Sequence, residues 1–256
     1  MSLRSLYVVP CHIIISFGLS LVALFFAFFD PSGNRSHRVA VLWADIILII
    51  SGVRAKLINP EVLIPGQSYI FAANHLSSFD IPVLISKLPI QFRWLAKDSL
   101  FKIPFFGWAM KRTGYIPINR SNSRQAYQSL LLAAKKVNEG TSVVIFPEGT
   151  RQETDHLGDF KKGGFVLALK SKKPIVPIGI QGSAHVLPKN GFWITPGTIK
   201  IILGTPIPTE GYKAKDADIL MQKVREAIEE NLKFEARSTK SETNSNDQNT
   251  KIRLTQ

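Results

Sequence analysis

The stretch SYIFAANHLSSFDIP, residues 68–82, sets the fold class of this 256-residue chain. Its first seven residues are mostly apolar and end in a turn residue, which is typical of a buried strand. Ser77 or Ser78 can then cap a helix, with Asp80 in the first turn and Pro82 at a position where proline is tolerated. The stretch therefore predicts a strand that passes through a short turn into a helix.

The same alternation continues along the chain. SVVIFPEG (142–149) is a second apolar run that ends in turn residues. Helices are predicted over 123–140, capped by Ser123 or Ser121, and over 213–236. Further strands are predicted at FRWLAK (92–97), YIPIN (115–119), PIVPIGI (174–180) and TIKIILG (198–204). This alternation predicts an α/β domain with a mixed, largely parallel sheet flanked by helices.

The N-terminal part of the chain has a different character. No charged residue lies between Arg4 and Asp30, and segment 8–29 is long enough to cross a bilayer, which takes about 20 apolar residues. The second apolar stretch, 39–53, carries Asp45, and a charge there is costly in hydrocarbon. Two arrangements stay open. Either the first helix crosses alone while the second lies along the interface, or both helices dip into one leaflet without crossing.

Three parts follow from these patterns. We expect membrane-associated helices over 1–58, an α/β domain over 59–236 and a disordered polar tail over 237–256.

Cys11 is the single cysteine, so a disulfide framework is excluded, and the five histidines show no metal-ligand spacing. We therefore predict no metal and no cofactor. The nucleophile elbow of serine hydrolases, the phosphate loop and the dinucleotide fingerprint are all absent.

Positive charge is concentrated in one part of the chain. The net charge is +13, and residues 86–173 carry 16 Lys and Arg against 6 Asp and Glu, a balance of +10. Such a field attracts polyanions, whether nucleic acid, anionic lipid or a phosphorylated ligand. No helix-turn-helix pattern or ribonucleoprotein signature appears, so we do not expect nucleic acid as a partner.

The first candidate catalytic pair is His75 with Asp80. Five residues of regular helix would turn their side chains roughly 140° apart, so they cannot meet on one helix face. If His75 precedes the helix and Asp80 begins it, the carboxylate can hold one ring nitrogen and leave the other as a base. The alternative is that Asp80 only supports the helix N-terminus and His75 is an incidental loop residue.

A second candidate site follows the strand at 142–145. In FPEGTR (146–151), a glycine, a hydroxyl and a guanidinium at a strand end suit a phosphate or a polarised carbonyl. A plain turn with a surface ion pair is the alternative. More cations lie near predicted strand or helix ends and could serve a phosphorylated substrate, although each could equally be a solvated surface charge: Lys97, Arg120, Lys161 and Lys162.

Read together, these segments resemble the glycerolipid acyltransferase family, in its branch of 1-acyl-sn-glycerol-3-phosphate (lysophosphatidic acid) acyltransferases. NHLSSFD (74–80) and FPEGTR (146–151) match the first and third sequence blocks of that family, and GYIPINR (114–120) resembles the second. IVPIGI (175–180) resembles the weaker fourth block. The similarity covers roughly residues 60–205, with a small departure at Gln152.

The resemblance implies a reaction and a set of roles. An acyl group would pass from acyl-CoA or acyl carrier protein to the free hydroxyl of lysophosphatidic acid, giving phosphatidic acid. His75 would be the general base and Asp80 would orient it. The resemblance places the remaining candidates around the acceptor: Arg120 and Arg151 on its phosphate, Lys97, Lys161 and Lys162 as helpers, Glu148 on its glycerol portion, and Gly149 and Thr150 in the same turn.

The resemblance also implies a place in the cell and leaves alternatives. We expect the protein on the cytoplasmic face of a membrane, such as a bacterial inner membrane, in contact with its phospholipids. The acceptor could instead be another lysolipid or glycerol-3-phosphate. A noncatalytic protein that binds anionic lipid is the alternative from a different class.

Overall fold

The computed structural model describes residues 4–153 and 156–233. Two long helices come first, α1 (Arg4–Phe29) and α2 (Asn34–Ser51), joined by a short turn. Asp30 holds this turn by accepting hydrogen bonds from the backbone N–H of Ser32 and Arg35 at 3.0 and 2.8 Å. The pair forms a helical hairpin at the start of the chain.

A seven-stranded sheet follows the hairpin. In chain order the strands are β1 (Val53–Ile58), β2 (Ile70–Ala73), β3 (Phe92–Lys97), β4 (Ile116–Ile118), β5 (Ser142–Ile145), β6 (Ile175–Gln181) and β7 (Gly197–Leu203). Their order across the sheet is β1-β7-β6-β2-β5-β3-β4, and every neighbouring pair is parallel except β6 with β7. The mixed, largely parallel sheet predicted from the sequence is confirmed.

The remaining helices flank this sheet. They are α3 (Asp80–Lys87), α4 (Phe106–Arg112), α5 (Ser123–Asn138), α6 (Gly163–Ser171), α7 (Ser183–Val186) and α8, which spans 217–233. One apolar cluster on the sheet contains Phe71 of β2 and packs under α2 and α3, and a second contains Ile70 of β2 and packs under α5, α6 and α8. Because both faces are covered, all four residues of β2 are buried, as the continuous apolar run predicted.

Three details differ from the sequence prediction. Strand β1 was not predicted. It lies within the segment assigned to the membrane-associated helices, yet it pairs in parallel with β7, so the sheet begins at Val53 and not after residue 58. Helix α5 is capped by Asn122, whose side chain accepts from the Gln125 N–H at 3.0 Å, and not by either predicted serine. Helix α8 begins at 217 after a short 3₁₀ turn, not at 213. Its predicted end at 236 and the predicted tail at 237–256 lie outside the described residues.

Helix α1 is tied to the rest of the protein along most of its length. Ser5 Oγ accepts from the Ile194 N–H at 2.8 Å, and Ser16 Oγ accepts from the indole N–H of Trp43 at 2.9 Å. Nearer its C-terminal end, the carbonyl of Ala23 accepts from Ser36 Oγ at 2.9 Å. The first of these bonds joins α1 to the α/β domain and the other two join it to α2. Because Ala44, Ile47 and Leu48 of α2 share an apolar cluster with the sheet, the hairpin is packed on the domain.

The outward side of α1 is apolar and exposed. Within the described residues, the 5–29 helix is the single one long and apolar enough to cross a membrane, and only 17% of its most apolar window is buried in the protein. In contrast, Asp45 of α2 accepts a hydrogen bond from Ser86 of α3 at 2.5 Å. The charge in the second apolar stretch thus faces the domain, which explains how α2 tolerates it.

Candidate active site

The turn between β2 and α3 brings His75 and Asp80 together. Asn74 fixes the end of β2, because its side chain both donates to the Ile180 carbonyl and accepts from the Ile180 N–H at 3.0 and 2.7 Å. His75 follows directly, and α3 begins at Asp80. The Nδ1 of His75 and the Oδ2 of Asp80 are 2.8 Å apart. As the spacing predicted, the histidine precedes the helix and the aspartate lies in its first turn.

Asp80 is held in place by the same turn. Its Oδ2 also accepts the backbone N–H groups of Leu76 and Ser77, each at 2.8 Å, and the residue is fully buried. Ser77, one of the two serines predicted to cap α3, has other partners. Its Oγ donates to the Leu187 carbonyl at 2.6 Å and accepts the Phe79 N–H. These contacts to Oδ2 fix the carboxylate where it meets the imidazole.

The imidazole is oriented from two directions. Its ring stacks on Phe146 with 3.8 Å between centroids and 7° between planes. Because Nδ1 faces the carboxylate of Asp80, that nitrogen carries the proton and Nε2 is the acceptor. The side chain of His75 is 14% exposed and lines a cavity. This arrangement suits a general base.

Glu148 has a different place from the one predicted. It is 2% exposed, with Oε1 accepting the His75 N–H and Oε2 accepting the Gly158 N–H, both at 2.8 Å. Burial raises the pKa of this carboxyl, while the two backbone donors act in the opposite direction. Glu148 is not among the described residues that line the cavity. It therefore braces the turn that carries His75, whereas the family resemblance implied contact with the glycerol portion of a substrate.

The cavity beside His75 has a volume of about 460 Å³. Its walls are mainly apolar and come from α1, α2, α3, β3 and α4, with Trp43 and Trp94 among them. Sequence reasoning missed this wall. The hairpin helices were interpreted as membrane segments, and no local pattern shows that they close over the end of a distant strand.

Cationic and polar groups lie at the same cavity. Lys97, Arg120, Thr150 and Arg151 all line it together with His75. The guanidinium of Arg151 also donates to Ser78 Oγ at 2.8 Å. The block 146–151 owes its sharp turn to Gly149, which has a φ of 75°. These residues can neutralise an anion beside the histidine.

Lys161 and Lys162 are not brought into this group. Neither is among the described residues that line the cavity. Lys162 forms an exposed ion pair with Asp218 of α8 at 2.8 Å, because it lies at the start of α6, which α8 flanks. The backbone N–H of Lys161 donates to the Pro147 carbonyl at 2.7 Å, so this residue packs under the 146–151 turn through its main chain.

Comparison with known proteins gives a consistent result. A family model described as acyltransferase matches residues 54–181. The chain is 34% identical over 214 residues to a chloroplastic 1-acyl-sn-glycerol-3-phosphate acyltransferase of Arabidopsis thaliana, covering 81% of this chain and 57% of that protein. It is 29% identical to the 1-acyl-sn-glycerol-3-phosphate acyltransferase of Pseudomonas aeruginosa, covering 82% and 83% of the two chains. This chain thus spans a little over half of the plant relative.

A solved structure has the same fold. The crystal structure of the 1-acyl-sn-glycerophosphate acyltransferase of Thermotoga maritima aligns with a TM-score of 0.74, covering 89% of this chain and 94% of that chain. The sequence identity is 23%. The likeness extends over both the N-terminal hairpin and the sheet, since it includes most of each chain.

Proposed function

Since this chain belongs to the acyltransferase family, we propose that it transfers a fatty acyl group from a thioester to the free hydroxyl of 1-acylglycerol 3-phosphate. The product would be phosphatidic acid. One observation carries the proposal: an oriented His75–Asp80 pair lies at an apolar cavity that three cations, Lys97, Arg120 and Arg151, also line. A base, an apolar channel and an anion site in one place fit a lysophospholipid acceptor.

The pair would act as a general base. An alcohol is a poor nucleophile until its proton is removed in the transition state, so Nε2 of His75 takes the hydroxyl proton as the oxygen attacks the thioester carbonyl. The tetrahedral intermediate then collapses with cleavage of the C–S bond, and the imidazolium returns its proton to the leaving thiolate. Asp80 holds the ring and stabilises its charged form. A thioester is already activated, so no covalent enzyme intermediate is needed.

The cations would position the acceptor. We assign its phosphate to Arg120 and Arg151, with Lys97 and the hydroxyl of Thr150 beside them, because all four line the cavity next to the base. Glu148 and Gly149 would act indirectly. The first anchors the His75 N–H and the second allows the turn that directs Arg151 to the cavity.

The apolar side of the cavity would hold an acyl chain, and the hairpin would bring the protein to its lipid. α1 exposes apolar side chains such as Phe25 and Phe28, at 62% and 83%, and they extend along one side of the molecule. Because α1 contacts the domain at Ser5, which accepts from the Ile194 N–H, and at Phe17, whose ring packs on Phe105, we place it in the membrane interface and not upright across the bilayer. The α/β domain would then lie at the cytoplasmic surface.

A purified-protein assay tests this proposal. Acyl-CoA and acyl carrier protein donors are each crossed with lysophosphatidic acid, glycerol-3-phosphate and a lysophospholipid whose phosphate carries a headgroup. We expect turnover with lysophosphatidic acid to exceed the others. Its phosphate monoester carries more negative charge than the headgroup-bearing diester, and its acyl chain, which glycerol-3-phosphate lacks, can occupy the apolar wall. A preference for glycerol-3-phosphate or for the headgroup-bearing lipid would identify a different acceptor. Absence of transfer from both donors, with vesicle binding retained, would indicate a lipid-binding protein.

A further inference from the structure

Arg225 of α8 contacts the loop that contains Gly158. Its Nη1 donates to the Gly158 carbonyl and its Nη2 donates to the Leu157 carbonyl, each at 2.8 Å. The guanidinium also lies over the ring of Phe160, 5.3 Å from its centroid, and its Nε pairs with Glu229 at 3.2 Å. These contacts hold the side chain of Arg225 in one orientation against the loop.

One of these hydrogen bonds goes to the peptide group between Leu157 and Gly158. The carbonyl of this group accepts from Arg225, and its N–H donates to Oε2 of Glu148 at 2.8 Å. A trans peptide group is planar, and its C=O and N–H point in opposite directions. Fixing the carbonyl therefore also fixes the direction of the N–H, and a cation on the carbonyl polarises the donor that faces Glu148.

Glu148 passes this constraint to the main chain of the histidine. Its other oxygen, Oε1, accepts the His75 N–H at 2.8 Å. The His75 carbonyl accepts the Gln152 N–H, also at 2.8 Å. A methyl group on Gly158 would lie 2.5 Å from the Gln152 side chain, so the two ends of this loop are in close contact. Both main-chain groups of His75 are thus held by the segment that Arg225 anchors.

We propose that Arg225 is a positioning residue for the general base. Through the 157–158 peptide group and Glu148, it sets the orientation of the main chain at His75. The inference rests on the proposed function, because it takes His75 as the base of acyl transfer. Arg225 is not among the described residues that line the cavity, so it has no direct contact with a substrate bound there. Its loss should slow the chemical step and leave binding of the acceptor unchanged.

Arg225→Met tests this role by steady-state kinetics. Methionine keeps an unbranched apolar side chain beside Phe160 and removes both donors to the loop. We expect kcat to fall roughly three- to tenfold while KM for lysophosphatidic acid stays within about twofold of wild type, because a displaced base affects the transition state and not the bound acceptor. If Arg225→Met lacks a cooperative thermal transition, Arg225→Lys takes its place, since it keeps the charge and loses the two-pronged contact.

Asp218→Asn is the control for either variant. Asp218 lies on the same helix and pairs with Lys162 at 2.8 Å in an exposed position outside the cavity. Its substitution removes an ionic contact of α8 and leaves the 157–158 peptide group untouched, so kcat and KM should stay within about twofold of wild type. A kcat for the Arg225 variant no lower than that of Asp218→Asn, or a KM raised as much as kcat is lowered, would overturn the proposal.

A double-mutant cycle with Glu148→Gln tests the route from Arg225 to the base. If Arg225 acts through Oε2 of Glu148, Arg225→Met should lower kcat by less than about twofold when glutamine already occupies position 148. General loosening of the fold would instead lower kcat by the same factor in both backgrounds. That result would show that Arg225 acts by another route and would contradict the proposal.

Thermal unfolding keeps this inference distinct from the proposed function, because it measures the link between Arg225 and Glu148 without turnover. We expect the double variant to lose less Tm than the sum of the two single losses, and additive losses would overturn the link. If the wild-type protein transfers no acyl group from any donor, the proposed function fails, and with it the role of Arg225 in the reaction. If the wild-type protein is active and Arg225→Met matches Asp218→Asn, the function stands and only the positioning role is wrong.

Discussion

Replacing Glu148 with glutamine distinguishes a residue that braces the site from one that touches substrate. Each oxygen of Glu148 accepts one backbone N–H at 2.8 Å, one from His75 and one from Gly158, and the side chain is 2% exposed. A glutamine has one oxygen and one NH₂ group, so one of the two N–H donors would face another donor. The loss of one charge-assisted hydrogen bond in a buried position costs about 1.5–3 kcal/mol.

That magnitude is measurable. For a domain of this size, 1 kcal/mol shifts Tm by about 2–4 °C, so we expect Glu148→Gln to lower Tm by about 3–12 °C. Because the His75 N–H is one of the two partners, kcat should fall more than tenfold while KM for the lysolipid stays within twofold of wild type. The control is Glu153→Gln, an exposed carboxylate that pairs with Lys189 and should change Tm by less than 2 °C. An unchanged Tm together with a raised KM would refute this role and restore direct contact with the glycerol portion.

Three further expectations follow from the same geometry. Arg120→Ala should raise KM for a phosphate-bearing acceptor roughly 10- to 100-fold, because it removes a charge-assisted contact. The control Lys162→Ala breaks an exposed ion pair outside the cavity and should leave KM within twofold of wild type. Equal effects of the two variants on KM would show that Arg120 does not bind the phosphate. Burial, with a smaller contribution from Arg93, lowers the pKa of His37 to about 3, so the folded protein holds this ring neutral. The His37 ring should therefore leave the free energy of unfolding undiminished above about pH 6.5 and lower it by up to about 5 kcal/mol as the pH falls towards 3. In denaturant titrations, His37→Gln should lose less of this free energy over the same pH range. An identical pH dependence in the two proteins would contradict the assignment. Asp80→Asn should lower kcat by more than tenfold in a steady-state assay, because the amide stabilises the imidazolium less, and a value near wild type would exclude the pair as the base.

The parts of the fold that the sequence predicted are those set by local patterns. β2 and β5 are buried on both sides, so their apolar runs identify them without knowledge of their neighbours. The relation of His75 to Asp80 was predictable for the same reason, since it depends on five residues at a strand-to-helix turn. Strand β1 escaped prediction because Arg54 and Lys56 alternate with partly buried residues at a sheet edge, where the apolar signal is weak.

The parts that were not predictable depend on distant packing. The hairpin helices close the cavity through contacts such as Trp43 with Ser16, and their apolar composition is equally typical of a membrane segment. The family resemblance implied that Glu148 binds the glycerol portion of the acceptor. Only the partner at Gly158 and its burial show that it faces inward. Lys162 was expected to help bind the substrate, but it pairs with Asp218. That partner lies 56 residues away in the chain, so no local pattern could indicate it.

Single-turnover acyl transfer by His75→Ala tests the central claim most directly. The variant removes the base and leaves Asp80, the cations and the apolar cavity in place. We expect the rate of phosphatidic acid formation to fall by about 10²–10⁴-fold, while vesicle binding and the cooperative thermal transition are retained. A folded His75→Ala protein that forms phosphatidic acid within tenfold of the wild-type rate would contradict the assignment of this histidine as the base.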